Sequence, residues 1–570
     1  MSRPAPRRRR AAARVLVRWG ATLTLLWTAL ATGLAAADDL PLDRIAAGDV
    51  GYAVTEAGGE LRRFDVEVLA VRAPDGPGLP TILVRTSGTF LDEVGGVAAG
   101  MSGSPVYLGA PGEERLAGAL AYAFPDSDHR LALVTPIAAM RALAGDGEVP
   151  ATPPSGVAPL APAPLLIAGA SPRASSLLAP ALDRLGARAV QAQAGATAGR
   201  AELERPLSAG DAVAIALVRG DLVVAAVGTV TDVRDERAWL LGHPLLRAGP
   251  VDLALFAADV PAIVADRRLP YKLSDVLGPD PIGRVTRDGQ AGLIATLGGA
   301  PSDLPLIVRV DSDDASRTVA VRLARLPGLT PALAALTVQE TIDALRDRVG
   351  GGSAELAWEI DLGDGRPLRL LDQRVDEADL AAAVARTAAA PLAILLGNPF
   401  RDPGLARVAL RIEIREERDH AELVEVALEA PEVAPGGTVQ AFLRLQPFRG
   451  EARVATLAIA IPDDVPPGEL VLTFRGASVP DPRSDEDDPP AADPYEQATS
   501  GLPPLLSWGE LIGALQERPQ ARELLVEIPG EMRPRRLTRT DLGSLVTGLE
   551  RVTVRVTDPT ASQNGTGGEQ

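Results

Sequence analysis

The stretch Gly95-Gly96-Val97-Ala98-Ala99-Gly100-Met101-Ser102-Gly103-Ser104-Pro105-Val106-Tyr107 constrains this chain more than any other. Small residues bracket the hydroxyl of Ser102, and the sequence on both sides reads as strand. Glycine and serine adopt tight, partly left-handed turns that larger residues reach only at a cost. Such a turn presents Ser102 outward and aims the backbone N–H groups of Gly100 and Ser102 at one point, as a serine nucleophile with an oxyanion hole requires. The plainer reading of the same residues is a Gly-rich hairpin loop, and composition alone favours it.

The rest of the chain is rich in turn residues. Its 570 residues suffice for roughly three to five domains, each burying a core of its own. Gly (56) and Pro (50) are frequent, and the apolar residues are mostly Ala, Leu and Val. Short strands joined by turns fit that better than long helical bundles. Lys272 is the only lysine, so arginine carries the positive charge, a pattern read as genomic composition bias. Cysteine is absent, which excludes disulfides and thiolate chemistry.

The N-terminus carries a targeting pattern. Residues 7–10, Arg14 and Arg18 form a basic region, residues 19–34 an apolar run, and Ala35-Ala36-Ala37 precedes Asp38. This is the layout of a secretory signal peptide cleaved after Ala37, and it predicts an exported protein of the periplasm, cell envelope or exterior. An uncleaved anchor fits less well, because the run is short for a span. No later run reads as a bilayer span, so no stable membrane span is expected after cleavage. Cleavage removes seven Arg and no acidic residue, leaving a chain more acidic than the −18 of the whole sequence. Such a surface argues against nucleic acid and anionic membrane as partners. No His-x-x-x-His, Asp-x-Asp-x-Asp-Gly or Walker-type spacing stands out, so no metal or cofactor is expected.

Behind the signal segment (1–37), residues 38–145 read as a compact run of β-hairpins around Ser102. The alternation at 64–71 marks a half-buried strand. An Ala/Pro-rich linker is expected over 146–204, with a helix near 175–185. Residues 205–310 form a second β-rich block, closed by a strand at 304–310. Residues 311–390 mix strands with two helical patterns, and 391–480 read as an Ig-like β-sandwich. An acidic, Pro-rich linker covers 481–500, a small α/β segment 501–558, and a polar tail 559–570. The fold class is therefore mainly β, with accessory sandwich and small α+β modules.

A serine hydroxyl needs a base to take its proton, and only three histidines exist. His129 and His420 lie in charged runs and read as solvated. His243 ends the apolar run Trp239-Leu240-Leu241-Gly242 and precedes Pro244, which holds it extended; a core histidine and a catalytic one are equally consistent with that. Gly100-Met101-Ser102-Gly103-Ser104-Pro105 resembles the nucleophile motif of the SpoIVB sporulation peptidases and is similar to the Gly-Asp-Ser-Gly-Gly-Pro turn of trypsin-like enzymes. Gly228-Thr229-Val230-Thr231 and Gly242-His243 resemble the segment carrying that family's histidine, so the likeness spans about 40–145 and 205–310.

The resemblance implies a trypsin-like, SpoIVB-like β-barrel peptidase built from the two β-rich blocks. It implies a serine endopeptidase with Ser102 as nucleophile, His243 as general base and the Gly100 and Ser102 amides as oxyanion hole, acting on protein or peptide substrates or on the chain itself. Three features depart from the family. The histidine block follows the serine block instead of preceding it. The acidic position fifteen residues before the serine is Ser87. No segment reads as a PDZ module. Asp92 is the substitute assigned as orienting acid, with Glu93 and Asp252 as alternatives and a Ser–His dyad needing none. Met101 cannot receive a new N-terminus, so trypsin-type zymogen activation is not expected. The alternative is an inactive secreted binding or scaffold protein that keeps the fold; a third reading is a protein that cleaves itself once.

Overall fold

The computed structural model describes residues 38–72, 78–124, 126–145, 158–159, 165–184, 192–193, 205–267, 269–276, 278–363, 365–479, 505–530 and 534–558. The expected signal segment, acidic linker and polar tail lie outside the described residues.

Strands β1 (Val50–Ala57), β2 (Glu60–Arg72), β3 (Thr81–Ser87), β4 (Pro105–Leu108), β5 (Arg115–Ala123) and β6 (Leu131–Pro136) are antiparallel neighbours in the order β1-β2-β3-β6-β5-β4. Because β4 also pairs with β1, the ring closes into a six-stranded barrel with no free edge. Along β2 the pleat sends Phe64, Val66 and Val68 inward, where they meet Ile82, Val84, Leu120 and Val134. Helices α1 (Thr89–Val94) and α2 (Ile137–Ala142) flank this barrel.

Three short strands follow, β7 (Ala158–Pro159), β8 (Leu165–Ala168) and β9 (Ala192–Gln193), with helices α3 (Pro172–Ser175) and α4 (Ala179–Arg184). A second ring then forms from β10 (Ala212–Gly220), β11 (Val223–Arg234), β12 (Arg237–Leu240), β13 (Gly249–Val264), β15 (Gly283–Gly289) and β16 (Gly292–Leu297), in the order β10-β11-β12-β16-β15-β13. The pairing of β10 with β11 closes it. Counted from its own first strand, each ring runs first, second, third, sixth, fifth, fourth, so the two barrels are topological copies. Strand β14 (Tyr271–Val276) lies off the ring and pairs with the far end of β13, forming a hairpin arm.

The expected linker over 146–204 is partly built into the fold. Strand β8 pairs with β11, and Ala174, Leu178 and Leu182 are buried in the main core. Leu165-Leu166-Ile167-Ala168 is apolar on both faces, so it is driven into the sheet instead of spanning a gap.

Strand β17 (Leu304–Asp311) was expected to close the second block and instead begins a third layer. It pairs with β18 (Ser316–Leu323) and, in parallel, with β21 (Arg407–Arg415), beside β19 (Gly352–Asp361) and β20 (Leu368–Asp376). Helices α5 (Thr330–Arg346) and α6 (Leu380–Gly397) pack on each other and on this sheet. Helix α6 is long and apolar enough to cross a membrane by composition. Most of it is buried, with Leu380, Val384, Leu392 and Leu395 in the core, and Asp379 caps its start.

The sandwich begins later than expected and takes in the C-terminal segment. One sheet holds β22 (His420–Leu428), β24 (Thr438–Pro447), β25 (Arg453–Ala460) and β29 (Leu545–Thr547). The other holds β23 (Glu432–Val433), β26 (Gly468–Gly476), β27 (Glu523–Ile528), β28 (Arg535–Asp541) and β30 (Leu549–Val556). Residues 391–480 alone would leave Leu472 and Phe474 of β26 uncovered; β27 and β30 flank that strand, and Val526 and Val554 complete the core. Residues 523–556 are thus not a separate module.

Candidate active site

Ser102 lies between the third and fourth strands of the first barrel, and His243 between the third and fourth strands of the second. The serine loop is held mainly by its carbonyls. Thr229 Oγ1 donates to Gly100 O at 2.9 Å, Thr229 N to Ser102 O at 2.8 Å and Thr231 Oγ1 to Gly103 O at 2.8 Å. All three donors sit on β11 of the other barrel. From its own barrel, Leu120 accepts from Gly103 N at 2.8 Å and donates to Ser104 O at 2.9 Å.

This close seating needs glycine at 103. Its φ is +96°, and a Cβ there would stand 1.9 Å from Thr229 O. The amides of Val97, Ala98, Ala99, Met101, Gly103 and Ser104 each find an acceptor. Those of Gly100 and Ser102 find none among the described residues. Ser102 Oγ is fully buried and also has no hydrogen-bond partner.

The histidine loop hangs on one carboxylate. Asp288, buried on β15, accepts from the amides of Leu245 at 2.8 Å, Leu246 at 2.7 Å and Ala248 at 3.2 Å. Burial raises its pKa, and these amides oppose the rise. Thr135 Oγ1 donates to Gly242 O at 2.6 Å, tying the loop to β6 of the first barrel. The His243 ring packs 6.0 Å from Tyr122, and its Nδ1–H donates to Pro244 O at 2.8 Å, which leaves the lone pair on Nε2. That nitrogen is buried without a partner, and burial lowers the histidine pKa to about 4.

The structure brings both loops to the seam between the barrels. Gly103 meets Leu241 and β5, and Gly242 meets Ala119 and Ala121 of the same β5. Ser102 and His243 are not hydrogen-bonded to each other. Asp92 does not join them: it is exposed on α1 and ion-paired with Arg130 at 2.6 Å, and Pro244 O already occupies His243 Nδ1. Asp252 is likewise engaged elsewhere, by Ser302 N and Arg284. His129 is half-buried and its carbonyl receives Val97 N, whereas His420 stacks on Phe448 in the sandwich. Among the described residues no three His, Asp or Glu side chains gather as a metal site would require.

Sequence reading missed Lys272, on the β14 arm. Ala99 and Tyr271 form a parallel bridge in which Ala99 N donates to Pro270 O at 2.7 Å and Lys272 N to Ala99 O at 2.9 Å. The lysine stem lies over Gly100, where a Cβ would come within 3.1 Å of it. Lys272 Nζ donates to Thr229 Oγ1 at 3.1 Å. Burial lowers its pKa to about 7, against an opposing pull from Glu56 on β1. Glu56, its own pKa raised by burial, accepts from Ala212 N at 2.9 Å. The signal was present: one lysine stands beside 56 arginines, and arginine cannot give up its proton.

Compared with protein-family models, curated proteins and solved structures, the chain matches none.

Proposed function

We propose that the chain is an exported serine endopeptidase of the SpoIVB type, with Ser102 as nucleophile, the Gly100 and Ser102 amides as oxyanion hole, and a base supplied by the second barrel. One observation carries the reading: the two amides of the serine loop left without acceptors flank a hydroxyl that has no partner. Donors held ready in a buried site stabilise a developing oxyanion strongly. Trypsin-like enzymes are likewise built on β-barrels. Because the two barrels here share one strand order, exchanging which comes first leaves each group on the same connection, and the reversed order of the blocks is no obstacle.

In the reaction the base takes the Ser102 proton, Oγ adds to the substrate carbonyl, and the two amides receive the oxyanion. Collapse expels the amine with the returned proton, and water hydrolyses the acyl ester. The resemblance implies His243 for the base. The substrate is a protein or peptide, or the chain itself.

A second reading, an inactive binding or scaffold protein on the same fold, is favoured by burial: Ser102 is 0% exposed and His243 1%. Diisopropyl fluorophosphate labelling at Ser102, turnover of casein, and fragments that vanish in Ser102→Ala separate the readings. Labelling with turnover supports the peptidase, self-fragments alone a self-cleaving protein, and neither the scaffold.

A further inference from the structure

We propose that Lys272, and not His243, is the general base for Ser102. The inference rests on the peptidase reading and changes one assignment within it. The arm carrying Lys272 is bonded to the nucleophile loop itself through two backbone hydrogen bonds at Ala99. Its stem covers Gly100, and its amine reaches the Thr229 hydroxyl that holds the Gly100 carbonyl. The Thr229 amide in turn holds the carbonyl of Ser102. One threonine therefore lies between the amine and the carbonyls of Gly100 and Ser102, the residues on either side of Met101. The histidine loop also touches Thr229, whose carbonyl accepts from Leu241 N at 3.4 Å, but its remaining contacts run to β5 and β6 of the first barrel and to Asp288, and none of them covers the serine loop as the Lys272 stem does.

Chemistry favours the amine as well. A base works best when its proton affinity is close to the working pH. Burial brings the lysine down to about 7, close to neutral pH, whereas it takes the imidazole down to about 4, further from it. The groups that face Lys272 are few. Glu56 on β1 is the charge across the seam, and Asp211 and Asp259 act on Glu56. Ser274, two residues along β14 and so on the same face, is buried with an unpartnered hydroxyl.

The step balances: the Ser102 Oγ–H proton passes to the Nζ lone pair, Oγ bonds to the substrate carbonyl carbon, and the ammonium returns the proton to the amine as the C–N bond breaks. Arginine could not do this, which accounts for a lone lysine in an arginine-rich chain.

Uniqueness makes the test direct. The mature chain labelled with [13C-ε]lysine shows one side-chain signal, and its titration midpoint is expected near 7. Diisopropyl fluorophosphate labelling of Ser102 is then followed against pH in wild type, Lys272→Met, Lys272→Arg and His243→Ala. The expected result is labelling that rises through the lysine midpoint, falls at least a hundredfold in both Lys272 variants, and keeps that pH profile in His243→Ala. A midpoint near 10, or labelling that survives in Lys272→Met and is lost in His243→Ala, overturns the assignment and leaves the peptidase standing. Absence of labelling in the wild type overturns the peptidase reading, and the base with it.

Discussion

Replacing Lys272 by methionine, which keeps an unbranched stem and removes the charge, is expected to stabilise the second barrel at neutral pH. In the fold the proton is held up to about pH 7, against 10.5 for a free lysine. At about 1.4 kcal/mol per tenfold change in proton affinity, the charged form is disfavoured by about 5 kcal/mol. At pH 7 about 4 kcal/mol of this is felt, and losing the bond to Thr229 gives back about 1 kcal/mol, leaving a net gain of about 3 kcal/mol. Between pH 7 and 10.5 the unfolded chain binds more protons than the folded one, so the wild type gains stability as pH rises and the variant does not. The advantage of Lys272→Met is therefore largest at pH 7 and below and fades towards pH 10. Urea-dependent hydrogen exchange of β10 and β11 peptides reads this barrel apart from the other units. A variant less stable than wild type at pH 6, or a difference that does not shrink as pH rises, refutes the reasoning.

Three further outcomes are expected. Gly103→Ala places a Cβ 1.9 Å from Thr229 O in a left-handed backbone, and should cost about 4 kcal/mol or more and abolish Ser102 labelling, with denaturation midpoints as the check. Asp288→Ala strands the amides of Leu245, Leu246 and Ala248, of which that of Leu246 is buried; a loss of about 3 kcal/mol should appear as fast hydrogen exchange over 244–248 while the first barrel stays protected. His243 stays neutral in the fold to about pH 4 but charges at 6.5 when unfolded, so stability is full above 6.5 and falls by up to about 3 kcal/mol towards pH 4. In His243→Gln that acid loss should be smaller by this amount in urea titrations at pH 4 and 7.

The local alternation of Phe64, Val66 and Val68 could be read from sequence because it depends only on the pleat. Closure of the rings could not, since it rests on β4 meeting β1 and β10 meeting β11 through partners chosen by three-dimensional register. The sandwich boundary failed for the same reason: β26 reads as a strand, but its neighbours β27 and β30 arrive after an intervening segment. Within the site, Gly100, Ser102 and Gly103 were legible because small residues around a hydroxyl limit what such a loop can do. Asp92 failed because chain proximity to the serine does not place a side chain in the seam, and Arg130 takes it outward. Lys272 was visible as a count, but its burial over Gly100 depends on an arm that folds back from the second barrel.

The carbonyls of Gly100, Ser102 and Gly103 are held by Thr229 and Thr231, more than a hundred positions downstream. A ribosome makes the loop long before it makes the donors, and domains generally fold from the N-terminus during synthesis. The first barrel on its own would thus carry a serine loop anchored at Gly103 N and Ser104 O by Leu120 but with the carbonyls of Gly100, Ser102 and Gly103 unheld. Whatever chemistry the hydroxyl performs begins only once the second barrel has been made and docked, so an incomplete or truncated product stays inert.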